Sequence, residues 1–203
     1  TRGPLSITVQ IIGDVEHDRH LSRAGAKQND IVVVSGTLGD ARGGLELLSG
    51  SYGYRDKLLL DRFKLPTPRV TLGLALSGLA SACIDVSDGL VADLGHIAKA
   101  SDVSMEVKIS SLPVSTALID YCAKRKGSSH GEYAATGGDD YELAMTVPLG
   151  AKSRLQAVAA KLAIPITVIG RVVGNRGRAS GVRCIDDFGK DVEYDSTGFN
   201  HFV

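Results

Sequence analysis

Residues 82–100, ACIDVSDGLVADLGHIAKA, constrain the fold more than any other stretch, because an apolar run of strand length meets an amphipathic helical pattern across a few polar residues. Ala82 to Val86 reads as a buried strand. Gly89 to Ala100 reads as a helix whose Leu90, Val91, Leu94, Ile97 and Ala98 share one face. The same handover of strand to helix recurs along the chain, which predicts a single mixed α/β domain over residues 1–203 without an obvious linker or internal repeat.

Glycine supports this reading: 24 of 203 residues exceeds the usual ~7%, and many of the glycines fall where strands should turn into helices. Ser6 to Val15 alternates well enough for a strand, and Asp30 to Ser35 suits a buried one. Gly36 to Ser49 predicts a turn, an Asp40 cap and a helix ending near Gly50. Short helices are expected over Tyr52 to Phe63 and, after Pro66 and Pro68, over Arg69 to Ala80. Val103 to Ile109 reads as a strand, Val114 to Lys124 as a helix and Lys126 to Gly131 as a loop. Tyr141 to Val147 is a strand, Ala151 to Ala163 a helix and Ile166 to Val173 a strand, with one or two short strands between Gly181 and Val203.

Lys plus Arg and Asp plus Glu balance at 23 each, so net charge gives no reason to expect a nucleic acid or an anionic membrane as partner. Phosphate recognition must then be local. Cys83, Cys122 and Cys184 lack CxxC or Cys/His spacing, which argues against a disulfide framework or structural zinc and favours a reducing cytoplasm. No apolar run approaches the roughly 20 residues of a membrane span, and the opening Thr1-Arg2-Gly3-Pro4 does not read as a signal peptide.

Two turns carry candidate chemistry. In DVSDG, Asp85 and Asp88 are hard oxygen donors at a strand-to-helix junction and suit magnesium, which bridges one or two carboxylates to substrate phosphates. Ser87 is placed to hydrogen-bond a phosphate, with the positive end of the helix behind it. The competing reading makes Ser87 or Asp88 a helix cap. In GGDDYEL, residues 137–143, paired glycines let backbone approach a ligand before three carboxylates and a tyrosine; an ordinary glycine turn entering a strand has the same composition. Arg23 in LSRAGAK is a candidate phosphate clamp or a solvated side chain, and Phe199 in STGFNHF either stacks on a heterocycle or pins the tail. The P-loop, GxGxxG, GxSxG and HExxH patterns are absent, and the five histidines, His96 on its helix included, show no metal-ligand spacing.

Taken in order, TRGPLS, LSRAGAK, SGTLGDARGGL, SACIDVSDGLVADLGHIAKASD, GGDDYEL, TVIGRV and GFNHF resemble the carboxy-terminal part of thiamine-monophosphate kinases. That family belongs to the wider superfamily of aminoimidazole-ribonucleotide synthetase, selenophosphate synthetase and hydrogenase-maturation proteins. The resemblance implies a carboxy-terminal α/β fold, a mixed sheet packed against helices. It also implies transfer of the γ-phosphoryl group of ATP to thiamine monophosphate with Mg2+ as cofactor and no protein nucleophile. Matched motif to motif, Asp85 and Asp88 would bind magnesium, Arg23 and Ser87 would touch ATP, and Asp139 and Phe199 would contact thiamine. Relatives often carry glutamate and tyrosine at these last two positions. The resemblance further implies a preceding α/β domain, absent from this chain, that supplies more magnesium-binding aspartates and most of a homodimer contact. It ends in a GGDT segment whose last residue is Thr1, so the chain alone is expected to be inactive. Two alternatives stay open: another ATP-using enzyme of the superfamily, or a non-catalytic domain that binds a ligand or partner.

Overall fold

A computed structural model describes residues 3, 5–17, 19–50, 54–125, 129–175, 179–194 and 198. In chain order the elements are β1 (Ile31–Ser35), α1 (Asp40–Ser49), α2 (Lys57–Lys64), α3 (Val70–Leu76), β2 (Ala82–Asp85), α4 (Leu90–Ser101), β3 (Ser104–Lys108), α5 (Thr116–Ala123), α6 (His130–Thr136), β4 (Leu143–Val147), α7 (Lys152–Leu162), β5 (Ile166–Val173) and β6 (Gly181–Ile185). The strands form one mixed sheet in the order β2-β4-β1-β5-β3-β6. Neighbours are antiparallel except β3 and β6, which run parallel.

Helices cover both faces of this sheet, and the pleat of β1 shows why its IVVVS sequence carries no polar alternation. Val32 and Val34 join the larger core with Leu90, Leu94, Ile97 and Ala98 of α4. Ile31 and Val33 point the other way, into a second core with Leu72 and Leu76 of α3 and Leu155 of α7. A strand buried on both faces has no solvent side on which to place polar residues. A third cluster lies beyond the sheet, where α1, α2, α5 and α6 meet around Leu47, Leu59, Leu118, Tyr121 and Tyr133.

Local chemistry accounts for the helix starts. Asp56 accepts a hydrogen bond from the Leu59 N–H at 3.1 Å and Ser115 one from the Leu118 N–H at 3.0 Å, two side-chain N-caps. Asp40, expected as a cap, is instead the first residue of α1; Gly39 occupies the cap position at φ 81°, and the carboxylate that satisfies the helix start comes from Asp140. Asp40 is turned inward to accept from Thr37 at 2.5 Å and Ser115 at 2.5 Å.

Two expectations fail among the described residues. Ser6 to Val15 forms no strand, and Ile7, Val9, Ile11 and Ile12 are exposed; alternation makes a strand only where a neighbour completes its hydrogen bonds. The loop expected to end at Gly131 gives way to α6 at His130, a short helix whose Tyr133, Ala134 and Ala135 are buried.

Candidate active site

The two acidic turns meet because they leave neighbouring strands. β2 and β4 pair antiparallel with Asp85 opposite Leu143, so DVSDG follows one strand at the end where GGDDYE leads into the other. The ladder continues past both strands: Val86 N–H donates to the Glu142 carbonyl at 2.8 Å, Tyr141 N–H to the Val86 carbonyl at 2.9 Å and Asp139 N–H to the Ser87 carbonyl at 2.9 Å. The approach needs glycine. A Cβ on Gly138 would meet the Ser87 carbonyl oxygen at 2.5 Å, and Gly89, at φ 126°, has the Thr136 carbonyl oxygen 2.7 Å from where its own would lie.

Neither Ser87 nor Asp88 caps α4. Asp93, from the first turn of that helix and 2% exposed, reaches back so that one carboxylate oxygen accepts from the N–H groups of Ser87, Asp88 and Gly89 at 3.0, 3.1 and 3.2 Å. The helix start expected to face a phosphate is thus already filled by an internal anion. Burial pushes the Asp93 pKa up against those three hydrogen bonds, and the Asp88 charge adds to the rise. Ligand atoms of Asp88, Asp93 and His96 lie within 4.8 Å of one another, so the fold brings His96 to the acidic turn although its spacing gave no such signal. Asp85 stands exposed at the end of β2, with no side-chain hydrogen bond or ion pair among the described residues. The carboxylates of Asp88 and Asp93 are hard oxygen donors of the kind magnesium takes, whereas His96 offers nitrogen and Asp85 is not part of that group.

GGDDYE divides its carboxylates between cavity and core. Asp139 and Tyr141 take left-handed backbone at φ 65° and 51°, and the Tyr141 hydroxyl lies 3.3 Å from Asp139 Oδ1. Asp140 and Glu142 point inward. Glu142, fully buried, accepts two bonds from Arg69 at 2.7 and 2.6 Å, one from Arg62 at 2.9 Å and one from Ser35 Oγ at 2.6 Å. Burial pushes its pKa up, but the Arg69 bonds, the Ser35 hydroxyl and both guanidinium charges outweigh burial, and the carboxyl ends below its ordinary value.

Asp140 accepts from the Gly39 and Ala41 N–H groups at 2.6 and 3.1 Å, yet burial, with the Asp40 charge beside it, pushes its pKa up to about 7. An unfolded aspartate releases its proton near pH 4, so between about pH 4 and 7 the native state holds a proton that the unfolded chain does not. The stability this contributes is full below that window and lost as pH rises through 7. Denaturant titrations from pH 4.5 to 8 are expected to show stability falling more steeply with pH in the native sequence than in Asp140→Asn; equal slopes would remove Asp140 as the cause.

Two cavities flank Tyr141. One, of about 860 Å3, is lined by Ser87, Asp88, Asp139 and Gly198 together with Arg42, Glu132, Glu193 and Tyr194. The other, of about 690 Å3, is lined by Asp85, Arg23 and Arg69 and by Leu21, Pro66, Val70 and Leu143. Of the residues singled out in the sequence, Ser87, Asp88 and Asp139 therefore share one cavity, and Asp85 and Arg23 share its neighbour. Phe199 lies outside the described residues; Gly198 before it lines the first cavity. Asp93, His96, Arg42, Glu132, Glu193 and Tyr194 were missed. A carboxylate in the first turn of α4 was a readable sign for Asp93. The others reach the site through tertiary packing alone.

An α/β domain in which an edge strand, β2, and its neighbour β4 carry two acidic glycine turns to adjoining cavities defines a class, and the sequence fits it: residues 27–182, more than half of the chain, match the family described as AIR synthase related protein, C-terminal domain, and the chain belongs to that family. Within it the chain is similar to thiamine-monophosphate kinases. The enzyme of that name from Haemophilus influenzae is 40% identical over 206 residues, covering 100% of this chain and 61% of the relative. The crystal structure of the Stenotrophomonas maltophilia thiamine-monophosphate kinase matches with a TM-score of 0.72 at 40% identity, over 85% of this chain and 54% of that one. AaThiL complexed with AMPPCP and TMP matches with a TM-score of 0.74 at 37% identity, over 90% of this chain and 54% of that one. The chain thus spans less than two thirds of the relatives it matches.

Proposed function

We propose that the protein containing this chain transfers the γ-phosphoryl group of ATP to thiamine monophosphate. An oxygen of the acceptor's phosphate attacks the γ-phosphorus, the bond to the β-phosphate oxygen breaks, and thiamine diphosphate and ADP result. The observation that carries the proposal is the backbone ladder joining DVSDG to GGDDYE, which gathers Ser87, Asp88 and Asp139 on one cavity wall with Asp85 and Arg23 beside it. Similarity to an enzyme complexed with AMPPCP, an ATP analogue, and TMP supports it.

Such a transfer needs no protein nucleophile; it depends on in-line positioning and on compensating crowded phosphate charge. Asp85 and Asp88 would hold Mg2+, which would supply positive charge against the crowded phosphates. Ser87 Oγ, bonded at 3.4 Å to Asp88 Oδ1, is placed to turn towards a phosphate oxygen of ATP. Arg23 contributes positive charge from the neighbouring cavity. Asp139, its backbone tied to the Ser87 carbonyl, is the proposed thiamine contact, and Phe199, outside the described residues, is assigned to the pyrimidine ring by the family resemblance alone. The left-handed backbone of Asp139 and Tyr141, at φ 65° and 51°, supports a ligand role for this turn.

The proposal includes a preceding domain that completes the site, a homodimer and a cytoplasmic setting, which suits three free, buried cysteines. Among the described residues no helix is long and apolar enough to cross a membrane. The discriminating experiment is calorimetric titration of the complete protein with thiamine monophosphate, in the presence of Mg2+ and AMPPCP. Saturable binding is expected, and in a parallel assay with ATP in place of AMPPCP the 203-residue chain alone is expected to form no thiamine diphosphate. Absence of binding to the complete protein would overturn the choice of substrate and leave another superfamily reaction in its place.

A further inference from the structure

The cavity that holds Asp139 has an electrostatic character that the phosphate chemistry does not explain. Among the described residues four carboxylates line it, Asp88, Glu132, Asp139 and Glu193, against one guanidinium, that of Arg42. That guanidinium is already engaged: it donates to Thr136 Oγ1 at 2.9 Å, lies 3.4 Å from Glu132 and stacks 4.2 Å above the Tyr133 ring. Glu132 is therefore partly neutralised, whereas Glu193 has no hydrogen bond or ion pair among the described residues. A wall of this sign repels a bare phosphate ester and attracts a cation.

Glu193 is also held in place. The Val192 N–H donates to the Cys184 carbonyl at 2.9 Å, and Val192 and Tyr194 pack against the main core on either side of it. Tyr194 offers the cavity an aromatic ring beside the carboxylate. An aromatic ring and a carboxylate on tethered backbone, both lining one cavity, suit a flat cation whose charge is spread over a ring. Burial pushes the Tyr194 hydroxyl up to about 12, with smaller contributions from Cys184 and Glu132.

We infer that Glu193, with the Tyr194 ring, is the specificity element for the positive charge of the substrate's thiazolium ring, holding that ring while the phosphate on its ethyl arm reaches towards Asp88. The inference rests on thiamine monophosphate being the substrate. It adds residues of the tail after β6 to a site otherwise built from the β2 and β4 turns. Because Glu193 is exposed, its attraction is screened by solvent and salt, and the expected effect is correspondingly moderate.

The test compares thiamine monophosphate with its thiophene analogue, in which a neutral carbon replaces the quaternary ring nitrogen, using the complete protein and its Glu193→Gln variant. The variant is expected to raise KM for thiamine monophosphate about fivefold, with the loss in KM rather than kcat, while KM for the neutral analogue moves less than twofold. Raising the salt concentration is expected to narrow the difference between the two proteins. Equal weakening of both substrates, or no change with either, would overturn the inference. Failure of the unsubstituted protein to turn over thiamine monophosphate would instead contradict the proposed function, and that result is read before any variant is made.

Discussion

Replacing Asp85 by asparagine in the complete protein is expected to lower kcat/KM for phosphoryl transfer at least about 100-fold, the scale on which loss of one group that stabilises transition-state charge is felt. The amide keeps the size of the side chain but not the charge that a magnesium ion between phosphates requires. The fold has little stake in this carboxylate. Asp85 ends β2 exposed, and its backbone pairing with Leu143 survives the substitution. The melting temperature is therefore expected to move by no more than about 2 °C, within the range of ordinary surface substitutions. Full activity in Asp85→Asn would remove Asp85 from the metal site, and a collapse in melting temperature would make its role structural.

Glu142→Ala is expected to do the opposite, costing about 3–5 kcal/mol of stability and lowering the melting temperature on the order of 10 °C. The carboxylate is fully buried and is the common acceptor of Arg69, Arg62 and Ser35. Truncating it strands two guanidinium groups whose side chains are only 18% and 16% exposed. The Arg62 Nε has no hydrogen-bond partner among the described residues even in the native arrangement, and the other carboxylate near it, Asp40 with Oδ2 at 3.8 Å, is already held by Thr37 and Ser115, so it offsets only part of the loss. Glu142→Gln, which keeps the acceptor oxygen for Ser35 or Arg69 but not the charge, is expected to fall between the two. A stability for Glu142→Ala within about 1 kcal/mol of the native protein would mean that the arginines find water or other partners at little cost.

The two substitutions divide the acidic residues into those that serve a ligand and those that shape the turn presenting it, a division the sequence could not make. In GGDDYE, residues Asp139, Asp140 and Glu142 look alike on paper. They differ because their partners lie far along the chain: Gly39 and Ala41 are 101 and 99 residues from Asp140, and Arg62 and Arg69 are 80 and 73 from Glu142. Local pattern carries no information about such pairings. It does carry the β2-turn-α4 unit, where a buried strand, a glycine junction and a five-residue apolar face all act within 20 residues or so, and the structure follows it closely. The same logic misled at Ser6 to Val15, where alternation was present and a pairing partner among the described residues was not. The short helix α6 escaped because its apolar face is made of alanines and one tyrosine, too small a signal after a polar loop.

The candidate ligand residues stand out in the sequence for a different reason. Asp85 at the last position of β2, and Ser87, Asp88 and Asp139 in the turns beside it, are polar side chains at places that no helix face or strand core claims. Glu193 and Tyr194 had no such position to betray them; they follow an edge strand and enter the site only because Val192 is tied back to Cys184.

The central claim, that the cavity wall built by DVSDG and GGDDYE belongs to an ATP-dependent kinase acting on thiamine monophosphate, is tested most directly by product analysis. The complete protein would be incubated with γ-labelled ATP, Mg2+ and thiamine monophosphate, and the thiamine products separated. The account predicts label in thiamine diphosphate, dependent on Mg2+ and lost in Asp85→Asn. Label released only as inorganic phosphate, or transferred undiminished by Asp85→Asn, would contradict it.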